Sequence, residues 1–170
     1  MSAIDEKWGE LGGPGGFLGQ PVDEGAGSDE MDTADARGRV RDFQGGSIYW
    51  SEATGAHEVH GAIRVKWAQL GGERRLGFPL TDELPTPDGR GRFNHFEHGS
   101  IYWTPETDAH DVRGPVRDKW AELGWERSQL GYPTSDQRSH GETLSNEFEG
   151  GAIVWTREGG AEVRGRIDEG

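Results

Sequence analysis

The sequence predicts an α+β tandem repeat in which three units, each a short helix, a Pro turn and a β-hairpin, share one core. Three observations predict it. The strand-like segments FQGGSIYWS (43–51), FEHGSIYWT (96–104) and FEGGAIVWT (148–156) align, with Ile48, Ile101 and Ile153 at equivalent places. A helical phrase lies upstream of each: IDEKWGELGG from Ile4, IRVKWAQLGG from Ile63 and VRDKWAELGW from Val116. Between phrase and strand sits an unusual turn, Leu76-Gly77-Phe78-Pro79 and again Leu130-Gly131-Tyr132-Pro133. Internal repetition of this period indicates an array of supersecondary units.

Composition alone points elsewhere. Leu, Ile, Val and Phe are sparse and the formal charge is −13, a pairing typical of disordered chains. Seven tryptophans argue against that, because each carries a large apolar surface that needs a partner. Six occupy two equivalent places: Trp8, Trp67 and Trp120 in the helical phrase, and Trp50, Trp103 and Trp155 in the strand. Trp125 alone stands outside the pattern.

Within a unit, Ile63, Trp67 and Leu70 at i, i+4 and i+7 lie on one helical face. The Gly-Gly after Leu70 is a C-terminal stop, since Gly adopts the left-handed cap without steric cost. Pro79 fixes φ and drives the preceding aromatic towards an extended conformation. A polar loop leads to the strand, then a short turn such as SEATG (51–55) and a return strand, AHEVHG (56–61), HDVRG (110–114) or AEVRG (161–165). Alternation turns Val59 to the core and puts Glu58 and His60 on one opposite face. A lone hairpin with so short a helix is marginal in water, so neighbouring units must share a core. The expected organisation is one domain over 1–170, with repeat 1 about 1–61, repeat 2 about 62–114 and repeat 3 about 115–170. Repeat 1 carries Gln20 in place of the turn aromatic, and its acidic, Gly/Ala-rich stretch 25–42 is expected to be a mobile loop. Repeat 3 has Val154 in place of the strand tyrosine.

The turns Leu76–Pro79 and Leu130–Pro133, with KWAQLGG and KWAELGW upstream and GSIYW and GAIVW downstream, resemble the LGFP tandem repeat of actinobacterial cell-envelope proteins. The resemblance implies a non-catalytic module, often joined to mycoloyltransferases, esterases or peptidoglycan hydrolases, that helps hold proteins at the cell wall. It also implies a ring or propeller-like arrangement of tandem copies.

Several chemistries find no support in the residues. His95 and His98 in NHFEH have a spacing that suits a metal only on a helix, and this segment leads into a strand. Asp82-Glu83 follows a Pro turn with Thr81 and reads as a cap rather than an acid/base pair. No phosphate-loop glycine pattern and no nucleophile with a positioned base is recognisable, so no catalytic residue, metal or cofactor is expected. The charge of −13 and the scattered Lys and Arg speak against nucleic acid. No stretch reaches a membrane-spanning length, and MSAIDEKW enters the first repeat without an apolar leader, so the envelope address implied by the resemblance competes with a cytoplasmic one. With no cysteine, redox usage does not fix the compartment.

What is left is surface recognition. Tyr49 and Tyr102 point opposite to Ile and Trp on their strands and offer faces for sugar rings, unless a neighbouring repeat buries them. The pairs Glu58-His60, Asp111-Arg113 and Glu162-Arg164 offer hydrogen bonds to sugar hydroxyls, or else form a structural ladder. Trp125 stands where the other units have Gly13 and Gly72 and is the leading single candidate for an exposed contact. The expected function is binding of cell-wall polysaccharide. The alternative is an acidic intracellular scaffold that meets a basic protein partner, and salt separates the two.

Overall fold

The computed structural model describes residues 2–22 and 30–165. Each repeat begins with an α-helix: α1 (Ala3–Glu10), α2 (Gly61–Gln69) and α3 (Gly114–Leu123). Ser2 caps α1, accepting from the Asp5 N–H while the Asp5 carboxylate accepts from the Ser2 N–H, a reciprocal capping box. Ile63 with Trp67, and Val116 with Trp120, are buried at the i, i+4 spacing the sequence shows. The helices stop at left-handed glycines, Gly71 with φ 110° and Gly124 with φ 114°.

After each helix the chain makes one 3₁₀ turn (Gly13–Gly15, Gly72–Arg74, Trp125–Arg127) and enters the Leu-Gly-x-Pro turn. The helix tryptophan holds that turn in place. Trp8, Trp67 and Trp120 each donate the indole N–H to the carbonyl of the turn glycine, Gly19, Gly77 and Gly131, at 2.9, 3.2 and 3.2 Å. The turn leucines are buried beside them. Tryptophan and turn therefore recur together because one bonds the other.

The expected hairpins are part of something larger, for the strands fall into three four-stranded sheets. Repeat 1 contributes β1 (Met31–Asp32), β2 (Gly38–Phe43), β3 (Gly46–Ser51) and β4 (Gly55–His60), antiparallel and in chain order. Repeat 2 has β5 (Leu84–Pro85), β6 (Arg92–Phe96), β7 (Gly99–Trp103) and β8 (His110–Val112). Repeat 3 has β9 (Arg138–His140), β10 (Thr143–Phe148), β11 (Gly151–Thr156) and β12 (Gly160–Gly165). The segments read as single strands are the β2–β3, β6–β7 and β10–β11 turns with the strand that follows. Stretch 25–42, expected as a loop, holds strand at 31–32 and from 38 onward; its residues 25–29 lie outside the described ones. The preceding strands escaped notice because GRVRDF and TLSNEF carry too few aliphatics to announce themselves.

By its contacts the chain divides into two compact units. Unit 1 comprises residues 1–84 and 94–97, and unit 2 comprises 85–93 and 98–170, so strand β6 gives residues to both. In unit 1 one core cluster gathers Ile4, Leu18, Phe43 and Ile48, with Trp8 and Trp50 packed against it. In unit 2 the core is Tyr102, Val112, Val116, Trp120, Leu130, Tyr132, Phe148 and Ile153.

Candidate functional site

Each unit contains one complete joint between consecutive repeats, and most of the residues singled out by sequence lie in it. In unit 1 the turn aromatic Phe78 is wholly buried. The Arg37 guanidinium lies 4.7 Å from its ring centre and reaches Glu97 at 2.7 Å, while Glu97 also accepts the Phe78 N–H at 2.9 Å. Gly38 sits beneath: a Cβ there would come within 2.7 Å of the Phe78 ring. Tyr49 is half-buried, edge-on to Trp67 at 4.7 Å. Arg64, on the same helix as Trp67, donates to the Ser47 hydroxyl at 3.0 Å.

Unit 2 repeats the device with different side chains. Arg90 lies 4.8 Å from the Tyr132 ring centre and bonds Glu149 at 2.8 Å, and Glu149 accepts the Tyr132 N–H. The Tyr132 hydroxyl adds what Phe78 cannot, donating to Asp88 at 2.7 Å and meeting the Thr86 hydroxyl at 2.8 Å. Arg117 donates to Ser100 at 2.7 Å. Tyr102 is 3% exposed, stacked on Phe93 and edge-on to Trp120. Burial pushes the hydroxyls of Tyr49, Tyr102 and Tyr132 well above the usual phenol range.

Tyr102 therefore offers no exposed platform for a sugar, and of the two alternatives the covered one is what the structure shows: the next helix lies over it, because an aromatic facing out of a lone hairpin becomes an interior residue once a neighbour docks. Tyr49 takes the same place in unit 1, half-covered by Trp67. The acid–base pairs also serve the joint. Glu58 is 1% exposed and accepts the Glu83 N–H at 2.8 Å and a His60 ring nitrogen at 2.7 Å. Asp111 is fully buried and accepts the Gln137 N–H at 3.1 Å and Arg113 Nε at 2.7 Å. Burial raises the Asp111 pKa despite those donors. Two asparagines brace the same place, Asn94 donating to the carbonyls of Glu58 and Thr81, and Asn146 to those of Asp111 and Ser135.

Asp82 proves to be an acceptor in the joint and not a cap. It takes Lys7 at 2.9 Å, the His57 ring at 3.2 Å and the Glu58 N–H at 3.2 Å. Burial alone would raise its pKa, but these donors prevail and hold it at about 2.

Trp125 is half-buried and stacks on Tyr102, edge-on to Trp120, with Arg117 over its ring at 5.1 Å. Its backbone is left-handed, φ 59°, matching φ 57° and 58° at Gly13 and Gly72. The freely exposed contact expected there is a packed one.

Glu162 and Arg164 alone among the paired candidates are exposed, and Val163 is 44% exposed where Val59 and Val112 are wholly buried. Repeat 3 also departs at the seat that receives a following repeat. By strand register Glu142, Thr143, Ala152 and Val154 stand where repeat 1 has Arg37, Gly38, Ser47 and Tyr49. The arginines of the joint were missed by sequence reasoning, although a signal existed: TADARGR (33–39) and TPDGRGR (86–92) repeat Thr-x-Asp-x-Arg-Gly-Arg. The strand tryptophans Trp50, Trp103 and Trp155 are a further set, half-buried at one place in every repeat.

No group of His, Cys, Asp and Glu among the described residues has the geometry to hold a metal ion, and no described helix is long and apolar enough to cross a membrane. A comparison with curated proteins gave no match. The family model described as LGFP repeat matches three times, over residues 18–74, 76–128 and 130–169, so that each match opens at or beside a turn leucine. With nearly the whole chain covered, the protein belongs to the LGFP repeat family.

Proposed function

We propose that this chain is a non-catalytic binding module of the cell envelope that engages cell-wall polysaccharide. The observation that carries the reading is the threefold family match. The structure supports moving the contact away from the residues of the joints and onto what each repeat leaves at its surface. Trp50, Trp103 and Trp155 recur once per repeat and are only half-buried, and indole faces stack on the apolar faces of sugars much as they do on other rings. Glu162 and Arg164 add exposed hydrogen-bonding groups.

The test is retention of the purified chain on insoluble actinobacterial cell wall at low and high salt, beside Trp50→Ala/Trp103→Ala/Trp155→Ala, with circular dichroism as a check on folding. Retention that resists salt and drops at least tenfold in the variant is the expected result. Absence of retention, or retention that salt abolishes, overturns the reading and favours an acidic surface meeting a basic partner.

A further inference from the structure

The joint in unit 1 is built around a histidine where its counterpart in unit 2 uses an arginine. His60 Nδ1 lies 2.7 Å from Glu58 Oε1 and Nε2 lies 3.1 Å from Glu83 Oε2. The two carboxylates expose only 1% and 8% of their side chains. Carboxylates accept and do not donate, so both contacts are hydrogen bonds only when both ring nitrogens carry protons. A neutral ring has one N–H and turns a lone pair towards the other carboxylate, so one nearly buried carboxylate loses a charged donor and faces a lone pair instead.

In unit 2 the same three places hold Asp111, Arg113 and Gln137. Arg113 is permanently charged, and Gln137 carries no charge where repeat 2 has Glu83. With Asp111 ionised, these three groups of unit 2 sum to zero charge, and the histidine of that joint, His110, lies 2.8 Å from Asp136 as His57 lies beside Asp82 in unit 1. The three groups of unit 1 carry one net negative charge with an imidazolium and two with an imidazole.

We propose that the joint of unit 1 is a proton-sensitive latch, closed while His60 is an imidazolium and loosened when that ring is neutral, and that the joint of unit 2 lacks this sensitivity. Other groups face the latch. His60 begins α2 as its N-cap without a side-chain cap bond, so the positive end of the helix opposes the ring's charge. The Phe17 ring packs 4.7 Å from it. Beside it Asp82 gathers Lys7 and His57, and the other His57 nitrogen faces the Thr54 carbonyl at 3.0 Å. Against the helix end stand two carboxylates in direct contact, and the direct contacts prevail. The charged ring is the folded state's form, so the stability it supplies is full at mildly acidic pH and is lost as pH rises through and above the ordinary imidazole range, around 6.5. The latch is independent of what the array binds.

The experiment uses the full chain. Ring ¹⁵N shifts of His60 report its protonation, and hydrogen-exchange protection of the Glu83 amide, bonded to Glu58, reports closure. Between pH 6 and 8.5 the ring is expected to lose a proton while the Glu83 protection factor drops at least tenfold and that of the Gln137 amide holds. His60→Arg removes the dependence, and Glu83→Gln reduces it should the arginine variant fail to fold. A neutral ring throughout, an unchanged protection factor, a drop that persists in His60→Arg, or one undiminished in Glu83→Gln overturns the proposal; a drop that persists in His60→Arg would assign the effect to His57.

Discussion

At the scale of single residues, repeats that share a backbone differ most where they touch a neighbour. Trp125 illustrates the balance. A left-handed conformation costs a non-glycine residue about 1–2 kcal/mol, and Trp125 bears that cost where Gly13 and Gly72 do not. It is offset by stacking on Tyr102 and an edge-on contact with Trp120 under Arg117. Trp125→Ala keeps the strain and loses the packing, whereas Trp125→Gly loses both. Thermal unfolding should therefore rank wild type above Trp125→Gly and Trp125→Gly above Trp125→Ala, the two variants about 1 kcal/mol apart. An alanine variant as stable as the glycine one would refute the strain. From sequence alone the missing glycine was visible at this position, but its reason was not, because the rings that hold Trp125 lie elsewhere in the chain.

At the scale of elements, the helices, the Leu-Gly-x-Pro turns and the return strands were legible because their apolar residues keep a strict spacing. Strands β2, β6 and β10 were not. Their residues answer to partners across a joint, so Gly38 is small for Phe78 as well as for the Trp50 carbonyl of its own sheet, and Asn94 and Asn146 serve carbonyls of the preceding repeat. Alternation within a strand cannot show a partner that arrives from the next unit. The same blindness left the paired acids open between sugar contacts and a structural ladder or bridge, although Glu58 and Asp111 are interior. One consequence is measurable in acid. Asp82 is held at about 2 against an ordinary carboxylate value of 3.8. Its contribution, about 2 kcal/mol at roughly 1.4 kcal/mol for each tenfold change in proton affinity, is complete above pH 4 and lost as pH falls towards 2. Asp82→Asn should remove that part of the acid limb, seen as a flatter dependence of unfolding free energy on pH between 4 and 2. An unaltered slope would mean that the Lys7 and His57 contacts do not hold in solution.

For the whole molecule, the motif that defines the family is chiefly a joining device. The aromatic of the turn is buried under an arginine of the preceding repeat, its N–H is taken by a glutamate of its own repeat, and the tryptophan of its own helix bonds the turn glycine. Repeat 1 has Gln20 in the aromatic's place and Asp5 where the later helices have Arg64 and Arg117. Repeat 3 presents Glu142 and Thr143 in place of the arginine and glycine that would receive such an aromatic. The three repeats are thus alike in fold and unlike in what they join. If one joint is used twice, the two arginine–aromatic pairs must couple alike. Double-mutant cycles of Arg37→Ala with Phe78→Leu and of Arg90→Ala with Tyr132→Leu, read by denaturant unfolding, measure this directly. A favourable coupling of about 1 kcal/mol at both joints is predicted; additivity at either would contradict the account.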